Sequence, residues 1–120
     1  MGTLTVVEYV REYGSSPYRA WFDSLHAQAA AKVATAVERL ELGNTSRVKW
    51  IGTIGECRID WGPGYRIYFG KDGESLIILL GGGTKQRQQA DIERAKAMWA
   101  EYKARKTAAR AKGKRGTTWR

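Results

Sequence analysis

The twelve residues from Arg58 to Phe69, RIDWGPGYRIYF, restrict this chain more than any other stretch. Proline fixes one backbone angle and its flanking glycines accept conformations that other residues avoid, so Gly62-Pro63-Gly64 forces a bend. Apolar and polar residues alternate on either side of it, which predicts two antiparallel strands, Ile54–Trp61 and Tyr65–Gly70. With the turn centred on Pro63, the cross-strand partners are Trp61–Tyr65, Asp60–Arg66, Ile59–Ile67, Arg58–Tyr68 and Cys57–Phe69. One face then carries Cys57, Ile59, Trp61, Tyr65, Ile67 and Phe69, and the other carries Glu56, Arg58, Asp60, Arg66 and Tyr68. The first face needs helices to cover it.

Those helices stand upstream. After an opening strand over 3–10, TLTVVEYV, Ser16 and Pro17 form a helix start, with Ser16 as cap and Pro17 at the first helical position. That helix presents Tyr18, Trp21, Phe22 and Leu25. A second, from about Ala27 to Leu42, presents Val33, Val37 and Leu40 and is ended by Gly43-Asn44. Downstream, a two-residue turn at Asp72-Gly73 leads into a third strand, Ser75–Gly81. This puts Leu76 and Ile78 on the apolar face and Ile77 and Leu79 beside the charged one, which therefore also calls for cover, for example by the final helix. Gly81-Gly82-Gly83 reads as a flexible loop. Asp91 then caps a last helix bearing Ile92, Ala95, Trp99 and Tyr102, which gives way to a tail. The order is β-α-α-β-β-β-α: an α+β domain over 1–104 with a small, mainly antiparallel sheet, an N-terminal helical hairpin and a C-terminal helix, followed by a basic, flexible tail over 105–120.

Composition narrows the function classes. A chain of 120 residues, 42% apolar, supports one packed domain. Its longest apolar run, Leu76 to Leu80, is too short to cross a bilayer, and no signal peptide opens the sequence. The single cysteine, Cys57, excludes an internal disulfide and a cysteine-based zinc site, and the single histidine, His26, weakens other transition-metal readings. No metal or cofactor is expected, and a reducing cytoplasm is the expected setting. The net charge of +9 is concentrated at one end: beyond Glu101 there are eight basic residues and no acid, leaving residues 1–101 almost neutral. Such an end is either a solubilising terminus or an attractor of polyanions, nucleic acid first.

A charged sheet face is ordinarily the wet side of an antiparallel sheet, with Asp60–Arg66 a modest ion pair. The other reading rests on a combination. Two arginines and a tyrosine come together on one face, and Lys85 leaves the adjoining strand. Arginine forks bind phosphate bidentately, and a tyrosine offers a ring and a hydroxyl, so the set suits a phosphodiester and one base. The segment GGGTK lacks the spacing of a nucleotide-binding loop. Trp21, Trp61 and Trp99 read as packing residues and Cys57 as a buried apolar one. Trp50, beside Arg47 and Lys49 in a loop, has a surface role open to it, and Trp119 falls in the tail.

The segment VKWIGTIGECRIDWGPGYRIYFGKDGESLIILLGGGTKQRQQADIERAKAMW resembles the RelE/HigB superfamily of toxins from type II toxin–antitoxin systems, and most closely the phage-related addiction-module killer proteins. The resemblance extends over about residues 3–104. It implies a ribosome-dependent endoribonuclease (an mRNA interferase) that enters the A site and cuts mRNA by attack of a 2′-hydroxyl on the adjacent phosphorus. By that analogy Arg66 stabilises the phosphorane with help from Arg58, Lys85 is the acid or the base, and Tyr68 stacks on or hydrogen-bonds the nucleotide. Glu56 and Asp60 are rival bases, and Arg47, Lys49, Trp50, Gln86 and Arg87 are further substrate contacts. The implied partners are a cognate antitoxin, itself a helix-turn-helix protein, the ribosome and its mRNA, and operator DNA bound by the toxin–antitoxin complex; no membrane is involved. The sequence departs from RelE in being acidic at Glu56 and in lacking a tyrosine near Asp91–Ile92, and His26 lies away from the expected site. Two alternatives share this fold: a ParE-like inhibitor of DNA gyrase, and a degenerate member that only binds antitoxin or DNA.

Overall fold

Ser16 opens α1 (Pro17–Asp23) as its place before Pro17 predicts, its hydroxyl accepting the Arg19 N–H at 3.0 Å. After a short link, His26 caps α2 (Ala27–Glu41) through its ring nitrogen, and Gly43 closes that helix with a positive φ of 83°. These belong to a computed structural model that describes residues 2–118, with side chains as far as Lys112. Trp119 lies outside the described residues.

The strands are β1 (Thr5–Glu8), β2 (Val48–Ile51), β3 (Ile54–Ile59), β4 (Tyr65–Asp72) and β5 (Leu76–Thr84). They form one sheet in the order β1-β5-β4-β3-β2, antiparallel except for the β1–β5 pair. A 3-10 turn (Lys85–Arg87) follows β5 and runs directly into α3 (Gln88–Thr118). The α1–α2 hairpin covers one side of the sheet, packing Val33 and Leu40 on Cys57, Ile67, Phe69, Ile77 and Leu79. On the other side α3 packs Ile92, Ala95, Met98 and Trp99 on Ile54, Tyr68, Ile78 and Leu80. The result is a three-layer α+β architecture.

Several expectations are corrected. Arg47–Trp50 is not simply a loop: Val48–Ile51 forms an edge strand on β3. The first hairpin pairs Ile59–Tyr65, Arg58–Arg66, Cys57–Ile67 and Glu56–Tyr68, two residues away from the predicted register. Side chains alternate with a period of two, so both faces survive that slip, but the turn is longer and Asp60 and Arg66 do not pair. The second hairpin pairs Asp72 with Leu76 across three loop residues instead of two. That single extra residue exchanges the faces, placing Ile77 and Leu79 under α1–α2 and Ile78 under α3. Gly81-Gly82-Gly83 is strand, paired with Tyr68, Ile67 and Arg66. Asp91 sits inside the first turn of α3 and is not its cap, and the helix continues well past Tyr102. Beyond Tyr102, Lys106 is ion-paired to Asp72 at 2.6 Å and Arg105 donates to the Val10 carbonyl at 2.8 Å, which holds this stretch on the edge of the sheet.

Candidate functional site

Cross-strand neighbours share a face, so the pairs Arg58–Arg66 and Glu56–Tyr68 set four functional side chains on the α3 side of adjacent strands. α3 does not leave this face wet. Tyr68 and Glu56 are fully buried, and Arg66 retains 8% of its surface. Glu56 organises the cluster: its Oε2 accepts the Tyr68 hydroxyl at 3.1 Å and Gln88 Nε2 at 2.7 Å, and lies 3.7 Å from Arg66 Nε. Arg66 Nη1 donates to the Gly64 carbonyl at 2.9 Å. The same carbonyl accepts the Lys85 backbone N–H at 2.9 Å, so one turn residue fixes both cationic segments. Glu56 Oε1 and Arg66 Nε are buried without a hydrogen-bond partner, and charges with an incomplete complement in a dry layer are costly to stability.

The glycines of β5 shape the site from below. Gly83 lies opposite Arg66, and a side chain there would collide with the Asp91 carboxylate. Gly82 similarly makes room for the Trp21 ring on the other side. With Gly83 bare, Asp91 is buried against the strand and ion-paired to Arg94. A β-bulge between Tyr68 and Phe69 adds local twist beside the cluster.

Burial raises the Tyr68 hydroxyl far above its usual range, Glu56 and then Asp91 adding to it against a smaller opposing effect of Arg66. Tyr68 therefore stays protonated and donates to Glu56. Its ring has no open face, which corrects the expectation that it stacks on a base. Glu56, with no exposed surface, has no route to a substrate hydroxyl; it positions Tyr68 and Arg66. Asp60 pairs instead with Arg47 at 2.6 Å.

What remains accessible is cationic. Arg58, Lys85 and Arg87 are exposed, and among the described residues none has a carboxylate within ion-pair distance. Like charges placed directly opposite, as in Arg58–Arg66, are destabilising unless an anion lies between them. Gln86 is exposed in the same 3-10 turn, and Lys49 shares the face through its pairing with Glu56. Trp50 does not join them: half-exposed, it meets Phe69 edge-on at 5.5 Å on the α1–α2 side. The structure thus brings Arg58, Arg66, Tyr68 and Lys85 together and separates Trp50 from them. Sequence reasoning missed Gln88 and the pairing of Asp91 with Arg94; for Asp91 the glycine run was the available signal, since Gly83 marks where its carboxylate crowds the strand.

No family profile matches the chain. An uncharacterized protein of Haemophilus influenzae is 38% identical to it over 86 residues, which cover 70% of this chain and 87% of that protein. The chain belongs to that protein's family. The relative's name assigns no activity, so the family's chemistry rests on the side chains themselves. Among the described residues, no group of three or more His, Cys, Asp or Glu side chains is placed to hold a metal ion, and no helix is long and apolar enough to cross a membrane. Cys57 is a buried thiol pushed up to about 11 by burial, with Arg47 and Arg39 pulling weakly the other way. It is a packing residue and a poor nucleophile. The arrangement is suited to binding a phosphoryl oxyanion.

Proposed function

We propose that the protein is a toxin of a type II toxin–antitoxin system, a RelE/HigB superfamily member of the phage-related addiction-module killer group, and that it is a ribosome-dependent mRNA endoribonuclease working in the cytoplasm. The observation that carries this reading is the Arg58–Arg66 pair, with Arg66 beside the buried Glu56 carboxylate and Lys85, which among the described residues has no carboxylate within ion-pair distance, fixed through the same Gly64 carbonyl. The RNA 2′-oxygen attacks the adjacent phosphorus and the bond to the 5′ oxygen breaks, leaving a 2′,3′-cyclic phosphate and a 5′-hydroxyl. Arginine stays protonated, so Arg58 and Arg66 act as an electrostatic clamp on the phosphorane. The Lys85 ammonium protonates the departing oxygen, and the 2′-hydroxyl proton leaves to water, since Glu56 is enclosed and Asp60 and Asp91 are ion-paired. Glu56, Gln88 and Tyr68 are positioning residues. A cognate antitoxin would silence the site by covering these cations with acidic and apolar groups.

Arg58→Ala and Lys85→Ala test the reading best, because both side chains are exposed and their loss leaves the core intact. Each is expected to lower the cleavage of ribosome-bound mRNA by roughly a hundredfold, the usual loss for one transition-state charge stabiliser, and to relieve growth inhibition with an unchanged Tm. Intact mRNA together with DNA-damage signalling in cells expressing the wild-type chain would overturn the proposal in favour of gyrase inhibition.

A further inference from the structure

A second basic concavity lies on the other side of β3. β2 begins only at Val48, and after one further bond from the Arg58 N–H to the Arg47 carbonyl at 3.1 Å the chains diverge, so a cleft of about 280 Å³ opens between the end of β3 and α2. Its walls carry Lys32 and Arg39 from α2, Arg47 from the segment after it, Arg58 from β3, and Asp60 and Trp61 from the turn that follows. Four cations face one carboxylate. Asp60 is already taken by Arg47 at 2.6 Å, and among the described residues Lys32, Arg39 and Arg58 have no carboxylate within ion-pair distance. Lys32 Nζ instead rests 5.7 Å from the centre of the Trp61 ring. Cations gathered in a concave surface concentrate a positive field and favour an anion inside it. The volume falls just below the range of pockets that enclose whole cofactors, and is sufficient for a phosphate with part of its sugar.

We infer that this cleft between α2 and the end of β3 is a second RNA-backbone site, which takes phosphodiester groups of the strand that crosses the Arg58–Arg66 patch. Continuity selects this source of phosphate over a free anion. Arg58 borders the cleft and also stands opposite Arg66, so a strand wrapping the β3 edge meets cations without interruption. Asn44 and Ser46, on the same walls, add neutral donors to the phosphate oxygens. The inference rests on the proposed function for what happens at the Arg66 end and on its own residues for binding.

The test measures binding of the full-length protein to a short 2′-O-methyl RNA, which lacks the attacking hydroxyl, across a salt series. A Lys32→Gln/Arg39→Gln protein should lose two phosphate contacts and reduce the slope of log K against log salt by about 1.4. Asp60→Asn, which frees Arg47, should raise the slope by about 0.7. Lys71→Gln, an exposed change on β4 away from the cleft, should leave the slope as it was. An unchanged slope in the double variant overturns the inference. Inorganic pyrophosphate provides the other arm: if it binds with the same residue dependence and RNA does not displace it, the cleft is a small-anion site and the RNA assignment falls. Because this RNA is never cut, absent mRNA cleavage with a reduced slope sinks only the proposed function. Normal cleavage with an unchanged slope sinks only the second site.

Discussion

On the α1–α2 side of the sheet, Cys57, Ile67, Phe69, Ile77 and Leu79 meet Val33, Leu40 and Tyr18 in an apolar layer. One residue further along the same strands, on the α3 side, Glu56, Arg66 and Tyr68 are comparably enclosed, and the buried charged residues among those described (Glu56, Arg66 and Asp91) all belong to this second layer. Burial of the first layer is stabilising at about 25 cal/mol per Å² of apolar surface. Burial of the charged groups within the second works against stability, because each ion gives up its hydration and regains only part of it from its partners. The difference teaches that both faces hold the fold together by apolar packing, and that the α3 face alone gives up part of that stability to keep Arg66 beside a buried carboxylate.

The sharpest way to break this comparison is to remove the buried pair by halves. Glu56→Leu alone should destabilise by about 3–5 kcal/mol, because Arg66 is left enclosed without its counter-ion. Arg66→Ala should behave similarly by stranding Glu56, so its loss of toxicity would report folding as well as chemistry. The double change Glu56→Leu/Arg66→Met should restore stability to the wild-type level or above it while abolishing mRNA cleavage. Urea unfolding separates these cases, with Ile67→Ala on the opposite face as the apolar reference at about 2–5 kcal/mol. A double variant that still cuts mRNA would show that the charged layer serves no catalytic purpose.

A second, smaller contrast lies within the glycine run. Gly83→Ala forces Asp91 off the strand and should cost about 1–3 kcal/mol together with much of the activity. Gly81→Ala meets nothing within 4 Å and should be silent in both assays. Equal effects at the two positions would contradict the crowding argument.

The sequence made some of this legible and hid the rest for physical reasons. Alternation around Gly62-Pro63-Gly64 sorted the first hairpin's faces correctly although its register was off by two, because a shift of two preserves sidedness. A shift of one does not, which is why the three-residue loop before Leu76 exchanged Ile77 and Leu79 with Ile78. Val48–Ile51 is too short to show a period, and its edge position lets Lys49 and Trp50 stay exposed. Glycine is depleted in strands, so Gly81–Gly83 read as a loop; Trp21 and Asp91, which lie over two of them, are contacts made only in the folded chain. The pairing of Arg58 with Arg66 was within reach of pattern reading. The burial of Glu56 and Tyr68 was not, since it depends on where α3 docks.

Alkaline pH gives a finer test of the charged layer. A folded-state pKa raised above the unfolded value means that the native protein holds that proton more tightly. The stabilisation from Tyr68 is therefore complete below about pH 10 and drains away as pH rises further. Tyr9 is also raised, and Tyr18 and Tyr102 are pushed up to about 12, so Tyr68→Phe should shallow the alkaline decline in Tm without removing it. At neutral pH the same change deprives Glu56 of one donor, at about 1–3 kcal/mol.

The smallest effect is expected outside both layers. Lys106, and then Tyr102, donate hydrogen bonds to Asp72 and hold its carboxyl below the ordinary range. The stabilisation it provides is present above about pH 4 and lost as pH falls through the lowered native value. Asp72→Asn should cost no more than about 1 kcal/mol near neutrality, and the difference from wild type should vanish in acid. mRNA cleavage should be unaffected.

Exposed Arg58 and Lys85, beside an Arg66 held by a buried carboxylate, are proposed to cut RNA on one face of the sheet. This is tested most directly by mapping 5′ ends on ribosome-bound mRNA in a translating extract, with wild-type protein beside the folded Arg58→Ala/Lys85→Ala double variant. The account predicts new 5′-hydroxyl ends with the wild type and none above background with the variant. Equal cutting by both proteins, or uncut mRNA with the wild type, would contradict it.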